Sequence, residues 1–136
     1  MGDSERVVEM NPEKSVERFF QEKLPGKAGG FPIATIAYYG PDNQTATKVA
    51  VGIVDNKDEV VELKRWLVRS QDVRIDRSIN REILLYIEAH SVKRVAIAGK
   101  IIGCPHEEGI DYPEGATCPQ CPFWMNKDRW TGEVLK

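Results

Sequence analysis

The sequence predicts an α/β layer protein: a small mixed sheet, made of a hairpin and one crossover strand, covered by helices and followed by a cysteine-bearing C-terminal segment. Three observations predict it. Residues 33–39 and 45–54 are rich in Ile, Val, Thr, Tyr and Ala, which suit a pleated surface, and turn residues separate the two runs. Apolar residues recur at helical spacing in three other stretches. A further β-rich run, residues 92–98, follows the last of these, and strand, helices and strand make a right-handed crossover if the final strand runs parallel to the second.

In chain order, residues 1–10 are polar without a sustained period and are expected to form a flexible lead. Asn11-Pro12 is a helix start, a capping side chain followed by proline at the first helical position. Val16, Phe19, Phe20 and Leu24 form its apolar stripe, which Pro25-Gly26 closes. The hairpin follows, with Gly40-Pro41-Asp42-Asn43-Gln44 as its turn and Lys48 alternating with Thr47 and Val49 as an outward residue would. Asp55 or Asn56 caps an expected second helix that reaches about Arg69, striped by Val60, Leu63 and Leu67 and widened by Val61 and Val68. Lys64 falls inside that stripe, where its stem packs and its ammonium reaches water, or where it is a desolvated functional lysine. Residues 70–77 read as an irregular connection, and a third helix covers 78–90 with Ile79, Ile83, Leu84 and Ile87 inward and His90 at its end. After the last strand, 92–98, Ile101-Ile102 extend it or re-enter the sheet beyond Gly99-Lys100. The economical division is a lead over 1–10, an α/β domain over 11–103, and a metal knuckle and tail over 104–136 packed on the same domain.

Composition narrows the function classes. At 136 residues the chain is long enough to bury a core, with roughly two-thirds of its unfolded surface going inside. Hydrophobic residues at 41 % and charged residues at 29 % are the balance of a globular protein, not of a disordered chain. A net charge of −2 supplies no global basic field for nucleic acid or anionic lipid. No apolar run approaches membrane-spanning length, and the acidic opening Met-Gly-Asp-Ser-Glu-Arg reads as neither secretory signal nor transit peptide. Three cysteines cannot pair off, and their clustering with a histidine fits metal ligation in a reducing compartment, hence a cytoplasmic protein.

The chemistry concentrates in Cys104-Pro105-His106 and Cys118-Pro119-Gln120-Cys121, separated by eleven residues. These four soft or borderline donors are the set that tetrahedral Zn²⁺ asks for. Cys118-Pro-Gln-Cys121 resembles the C-P-x-C knuckle of rubredoxins and zinc ribbons, and Asp111-Tyr-Pro-Glu-Gly resembles the turn that precedes it in rubredoxin. The resemblance covers about twenty residues and departs at the first pair, where one spacer separates Cys104 from His106 and an imidazole replaces a thiolate. It implies a closed, structural metal site, and the imidazole favours zinc over an iron electron-transfer centre.

Two other function classes have residues to support them. His106-x-Glu108 with Cys118-x-x-Cys121 is similar to the H-x-E and P-C-x-x-C elements of zinc-dependent nucleobase deaminases, which makes Glu107 or Glu108 the general base of a hydrolytic alternative. Only nine residues, rich in Gly and Pro, separate Glu108 from Cys118, too few for the two helices and the strand those elements occupy. A nucleic-acid surface can be drawn from Phe123-Trp124, Lys127, Arg129 and Trp130 together with Lys64, Arg65, Arg69, Arg74, Arg77 and Arg81. The plainer expectations are that the aromatics pack the knuckle onto its domain and that the basic run, interspersed with Asp72, Asp76 and Glu82, is a solvated face. No phosphate-binding glycine loop and no serine elbow occurs. A binding or assembly protein, with a protein partner or a second copy and no membrane, is the reading that remains.

Overall fold

The computed structural model describes residues 11–24, 30–57, 59–69, 71–107, 109–116 and 118–124; the expected lead over 1–10, the Pro25-Gly26 helix stop and the tail after Trp124 lie outside them. The elements are α1 (Pro12–Lys23), β1 (Ile33–Tyr39), β2 (Lys48–Val54), β3 (Val60–Leu67), α2 (Arg77–Ala89) and β4 (Arg94–Ile101), with short 3-10 turns at Val73–Ile75 and Pro122–Trp124. The sheet is mixed, in the order β3-β2-β1-β4, with β1 antiparallel to β2, β2 antiparallel to β3, and β4 parallel to β1. This is the α/β class that the sequence predicts.

Both helix starts follow from side-chain capping. Asn11 Oδ1 accepts from Lys14 N at 2.8 Å, ahead of Pro12 at the first helical position. Asp76 Oδ1 accepts from Ile79 N at 2.9 Å, so α2 begins at Arg77, one residue before its expected start.

The expected second helix over 55–69 is a strand, β3. Asp55 does cap, but it caps a turn: its Oδ1 accepts from Lys57 N at 2.9 Å and Glu59 N at 3.2 Å, and its own N–H bonds Glu59 O. The side-chain chemistry that starts a helix also closes a tight hairpin, and the two are indistinguishable from one aspartate. Trp66 decides between them, because in strand phase it lands opposite Val49 in the core while Leu63 and Leu67 fall on the other face. Lys64 is thus an exposed strand residue whose ammonium lies 5.2 Å from the Trp66 ring centroid and 5.6 Å from that of Tyr86.

The final strand also differs in partner. It runs unbroken over Arg94–Ile101, beside β1 and parallel to it, and therefore antiparallel to β2. The crossover joins β3 to β4, the two sheet edges, through α2.

One face of the sheet carries the core. Ala34, Ile36 and Tyr38 of β1 sit opposite Ile53, Val51 and Val49 of β2, all buried. Val16 and Phe20 from α1 and Ile83 and Ile87 from α2 join the same cluster, each contributing about 1.5–3 kcal/mol of apolar burial. On the opposite face Thr35, Leu63 and Leu67 are exposed, and among the described residues no helix covers them.

A buried polar node ties the β4 edge to both helices. Between Ile97 and Ile101 β4 gains two residues on β1, and this bulge turns Gly99 out of the ladder. Gly99 N donates to Glu17 Oε2 at 2.9 Å, and Gly99 O accepts from Arg74 Nη1 at 2.8 Å. Arg74, 5 % exposed, also forms a fork on Asp72, with Nε–Oδ1 at 2.9 Å and Nη2–Oδ2 at 2.8 Å. The buried charge is thus paired and hydrogen-bonded, the condition under which burial of a guanidinium is tolerated.

Candidate metal centre

The sheet delivers the first two candidate ligands. After β4 the chain stays zipped to the end of β1, with Ile102 N on Tyr38 O at 2.9 Å and Gly40 N on Gly103 O at 2.8 Å, so Cys104 emerges beside the β1–β2 turn. Gly40 is required there, since a Cβ on it would lie 2.0 Å from Thr45 O. His106 N then donates to Cys104 Sγ at 3.2 Å, turning the imidazole back over the sulfur.

A compact loop brings in the second pair. Asp111 Oδ2 accepts from Glu107 N at 2.7 Å, Asp111 N donates to Glu107 O at 2.7 Å, and Gly109 N donates to Tyr112 O at 2.7 Å. Gly109 and Gly115 hold φ of 84° and 87°, the left-handed region where a side chain is strained. The Cys118-Pro-Gln-Cys121 turn follows, and the 3-10 turn behind it starts with Trp124 N on Cys121 O at 3.1 Å.

The four side chains converge. His106 Nδ1 lies 3.3 Å from Cys104 Sγ, 3.4 Å from Cys118 Sγ and 3.5 Å from Cys121 Sγ, and all four donor atoms fall within 4.8 Å of one another. A tetrahedral ion with Zn–S of about 2.3 Å and Zn–N of about 2.0 Å sets neighbouring sulfur and nitrogen about 3.5 Å apart. The arrangement is therefore one that can hold a metal ion, with Nδ1 the imidazole atom facing the sulfurs. All three cysteines are unpaired and buried, forming a small cluster with Tyr112 against which Trp124 packs. Burial pushes the Cys104 and Cys121 thiols up, so that crowded thiolates are unfavourable there without a neighbouring cation.

Around the cluster, each expected residue has a definite place or lies outside the described residues. Lys48 is in the predicted phase, opposite to Val49, yet it is only 4 % exposed, because the knuckle covers that end of the sheet face. Its Nζ donates to Pro105 O at 2.9 Å and to the Glu107 carboxylate, which also receives Arg65. Burial pushes the Glu107 carboxyl up, but the hydrogen bonds and charges of Lys48 and Arg65 outweigh it and hold it below the usual range. A carboxylate so engaged is poorly placed to take a proton, and Glu108 lies outside the described residues. Trp124 donates its Nε1 to Gly40 O at 2.7 Å and packs on both the sulfur cluster and the main core, the packing role expected of the aromatics. Lys127, Arg129 and Trp130 are outside the described residues.

Three residues of the basic run are engaged within the chain. Arg65 turns to Glu107, Lys64 to the Trp66 and Tyr86 rings, and Arg74 is buried on Asp72. Sequence reasoning missed the tethering roles of Lys48 and Arg65, because both depend on strand register. The one available signal was a lysine opening a run that is otherwise Val, Ala, Gly and Ile.

No family model, curated protein or solved structure matches the chain. Among the described residues no helix is long and apolar enough to cross a membrane.

Proposed function

We propose that Cys104, His106, Cys118 and Cys121 bind one Zn²⁺ through three thiolates and the imidazole Nδ1, as a closed site whose role is structural. The observation that carries this reading is the approach of all three sulfurs to a single nitrogen at 3.3–3.5 Å. Zinc is preferred to iron because an imidazole stands where an iron–sulfur centre of the rubredoxin kind has its fourth thiolate. Four protein donors leave no position for a substrate, so the metal holds the knuckle together and catalyses nothing.

The protein is then a cytoplasmic binding or assembly module. Its knuckle caps one end of the sheet through the Trp124, Lys48 and Arg65 contacts, and a reducing compartment keeps the three thiols available to metal. The rest of the outer sheet face stays available to a partner.

Elemental analysis of protein purified without chelator, combined with the absorption spectrum after cobalt substitution, tests the assignment. One metal per chain and a tetrahedral three-thiolate cobalt spectrum are expected. A two-thiolate or five-coordinate spectrum, or protein that binds no metal, would overturn it.

A further inference from the structure

Among the described residues, half of the eight large exposed apolar side chains fall on a single strand, the others being Phe31, Ile75, Leu85 and Ile110. Val60, Val61, Leu63 and Leu67, between 44 % and 65 % exposed, all lie on β3. Of the eight residues of that strand only Trp66 is buried. Among the described residues β3 is also a sheet edge, its ladder running to β2 on one side alone. Natural edge strands are blunted by shortness, proline, bulges, a covering element or charged side chains, lysine above all. This one is long and proline-free, and its only register shift is at its first residues, opposite Ile53 and Val54.

The charges on the strand do not repel an incoming chain. Arg65 is drawn to Glu107, Lys64 lies over Trp66 and Tyr86, and Glu62 bonds His90 while its side chain remains 52 % exposed. They also read as self-complementary. In an antiparallel pair of identical strands related by a twofold axis normal to the sheet, residues opposite each other must share a face. With the axis at Leu63, that residue meets its own copy on the outer face, and Glu62 meets Lys64 of the second copy twice over on the helix-bearing face. Moving the axis one residue either way stacks Glu62 on Glu62 or Lys64 on Lys64, and like charges directly opposite are destabilising. A self-complementary patch is what a twofold dimer requires.

We infer that β3 pairs antiparallel with β3 of a second copy of this chain about Leu63, joining two sheets into one continuous sheet. This identifies a partner for the binding role proposed above. It does not depend on which metal fills the knuckle, because the interface is built from β3 alone.

Sedimentation of the full, metal-loaded chain over a range of concentrations tests it, with metal content measured on the same samples so that a failed metal assignment is recognised separately. The parent protein should dimerise. Each single exchange, Glu62→Lys or Lys64→Glu, turns two attractive contacts into two repulsive ones and should weaken the dimer by about tenfold or more. The double exchange restores the pairing and should recover parental affinity. Leu63→Lys, an exposed position that leaves the core untouched, should abolish the dimer by opposing two ammonium groups at the axis. A parent that is monomeric throughout, single exchanges that dimerise as tightly as the parent, or a double exchange no better than the singles would each overturn the inference.

Discussion

Replacing Gly99 by alanine should cost about 2–4 kcal/mol of stability, and the structure gives the parts of that figure. Gly99 has no left-handed φ, so the backbone can accept a side chain and the cost is one of space. The new Cβ would stand 2.6 Å from Glu13 O and 3.1 Å from Glu13 C, both backbone atoms of the first turn of α1. Helix backbone cannot swing aside as a side chain does, so α1 must back away as a body. That overpacking is worth about 1–3 kcal/mol. The same movement stretches the 2.9 Å bond from Gly99 N to Glu17 Oε2, a charge-assisted contact whose weakening adds about 1 kcal/mol. Thermal unfolding should show a midpoint lower by about 10 °C, and the urea midpoint should fall with it. A Gly99→Ala variant within about 0.5 kcal/mol of the parent would refute the argument that this bulge is where α1 is seated on the sheet.

Three further outcomes are expected. Lys48→Met removes a buried ammonium and leaves Pro105 O and part of the Glu107 carboxylate without their donor, so stability should fall by about 2–4 kcal/mol in urea unfolding, and an unchanged midpoint would contradict the tether. Cys118→Ser should weaken cobalt binding more than about a hundredfold and strip exchange protection from the knuckle amides while the β1–β2 amides keep theirs; retained metal would remove Cys118 from the ligand set. His90 bonds Tyr86 O through Nδ1 and Glu62 through Nε2; the Tyr86 carbonyl raises its pKa most, burial offsets part of that, and the Glu62 bond and charge raise it further, for a net rise. A folded pKa above the unfolded one gives stability that is complete below the unfolded value of about 6.5 and fades as pH rises through the folded one. The melting-temperature advantage of the parent over His90→Gln should therefore be largest near about pH 5.5 and shrink toward about pH 8.5, and an advantage that grows with pH would show the sign to be wrong.

The sequence made legible whatever is decided locally. β1 and α1 are bounded by a Gly-Pro turn and an Asn-Pro cap, and the Cys/His cluster is written in spacing alone. β3 was not legible, because Val60, Leu63 and Leu67 satisfy a helical period as well as they satisfy exposure on an edge strand, and Asp55 caps either structure. What chose the strand was the unpaired edge of β2 and the place for Trp66 in the core, both properties of the assembled sheet. Lys48 was misjudged for the same kind of reason: alternation fixes which face a residue takes, and only the knuckle arriving more than fifty residues later decides whether that face is wet.

The knuckle and the sheet are joined so that each limits the other's freedom. Among the described residues between 105 and 120 only Tyr112 and Cys118 are buried, and the small cluster of Cys104, Tyr112, Cys118 and Cys121 is too slight to order the loop alone. Their ends, however, are fixed from outside: Gly103 to Gly40 before the first ligand, Trp124 to Gly40 after the last, and Glu107 to Lys48 and Arg65 between. Fixing the ends lowers the entropy that would be lost if the four donors gathered on one ion, so under the proposed metal assignment the α/β fold would supply part of the affinity. The dependence also runs the other way, since Lys48 is a buried cation whose ammonium meets the knuckle residues Pro105 and Glu107 and the Tyr39 ring. The sheet end is built for a covered state, and a metal bound by the Cys/His cluster would make that cover durable.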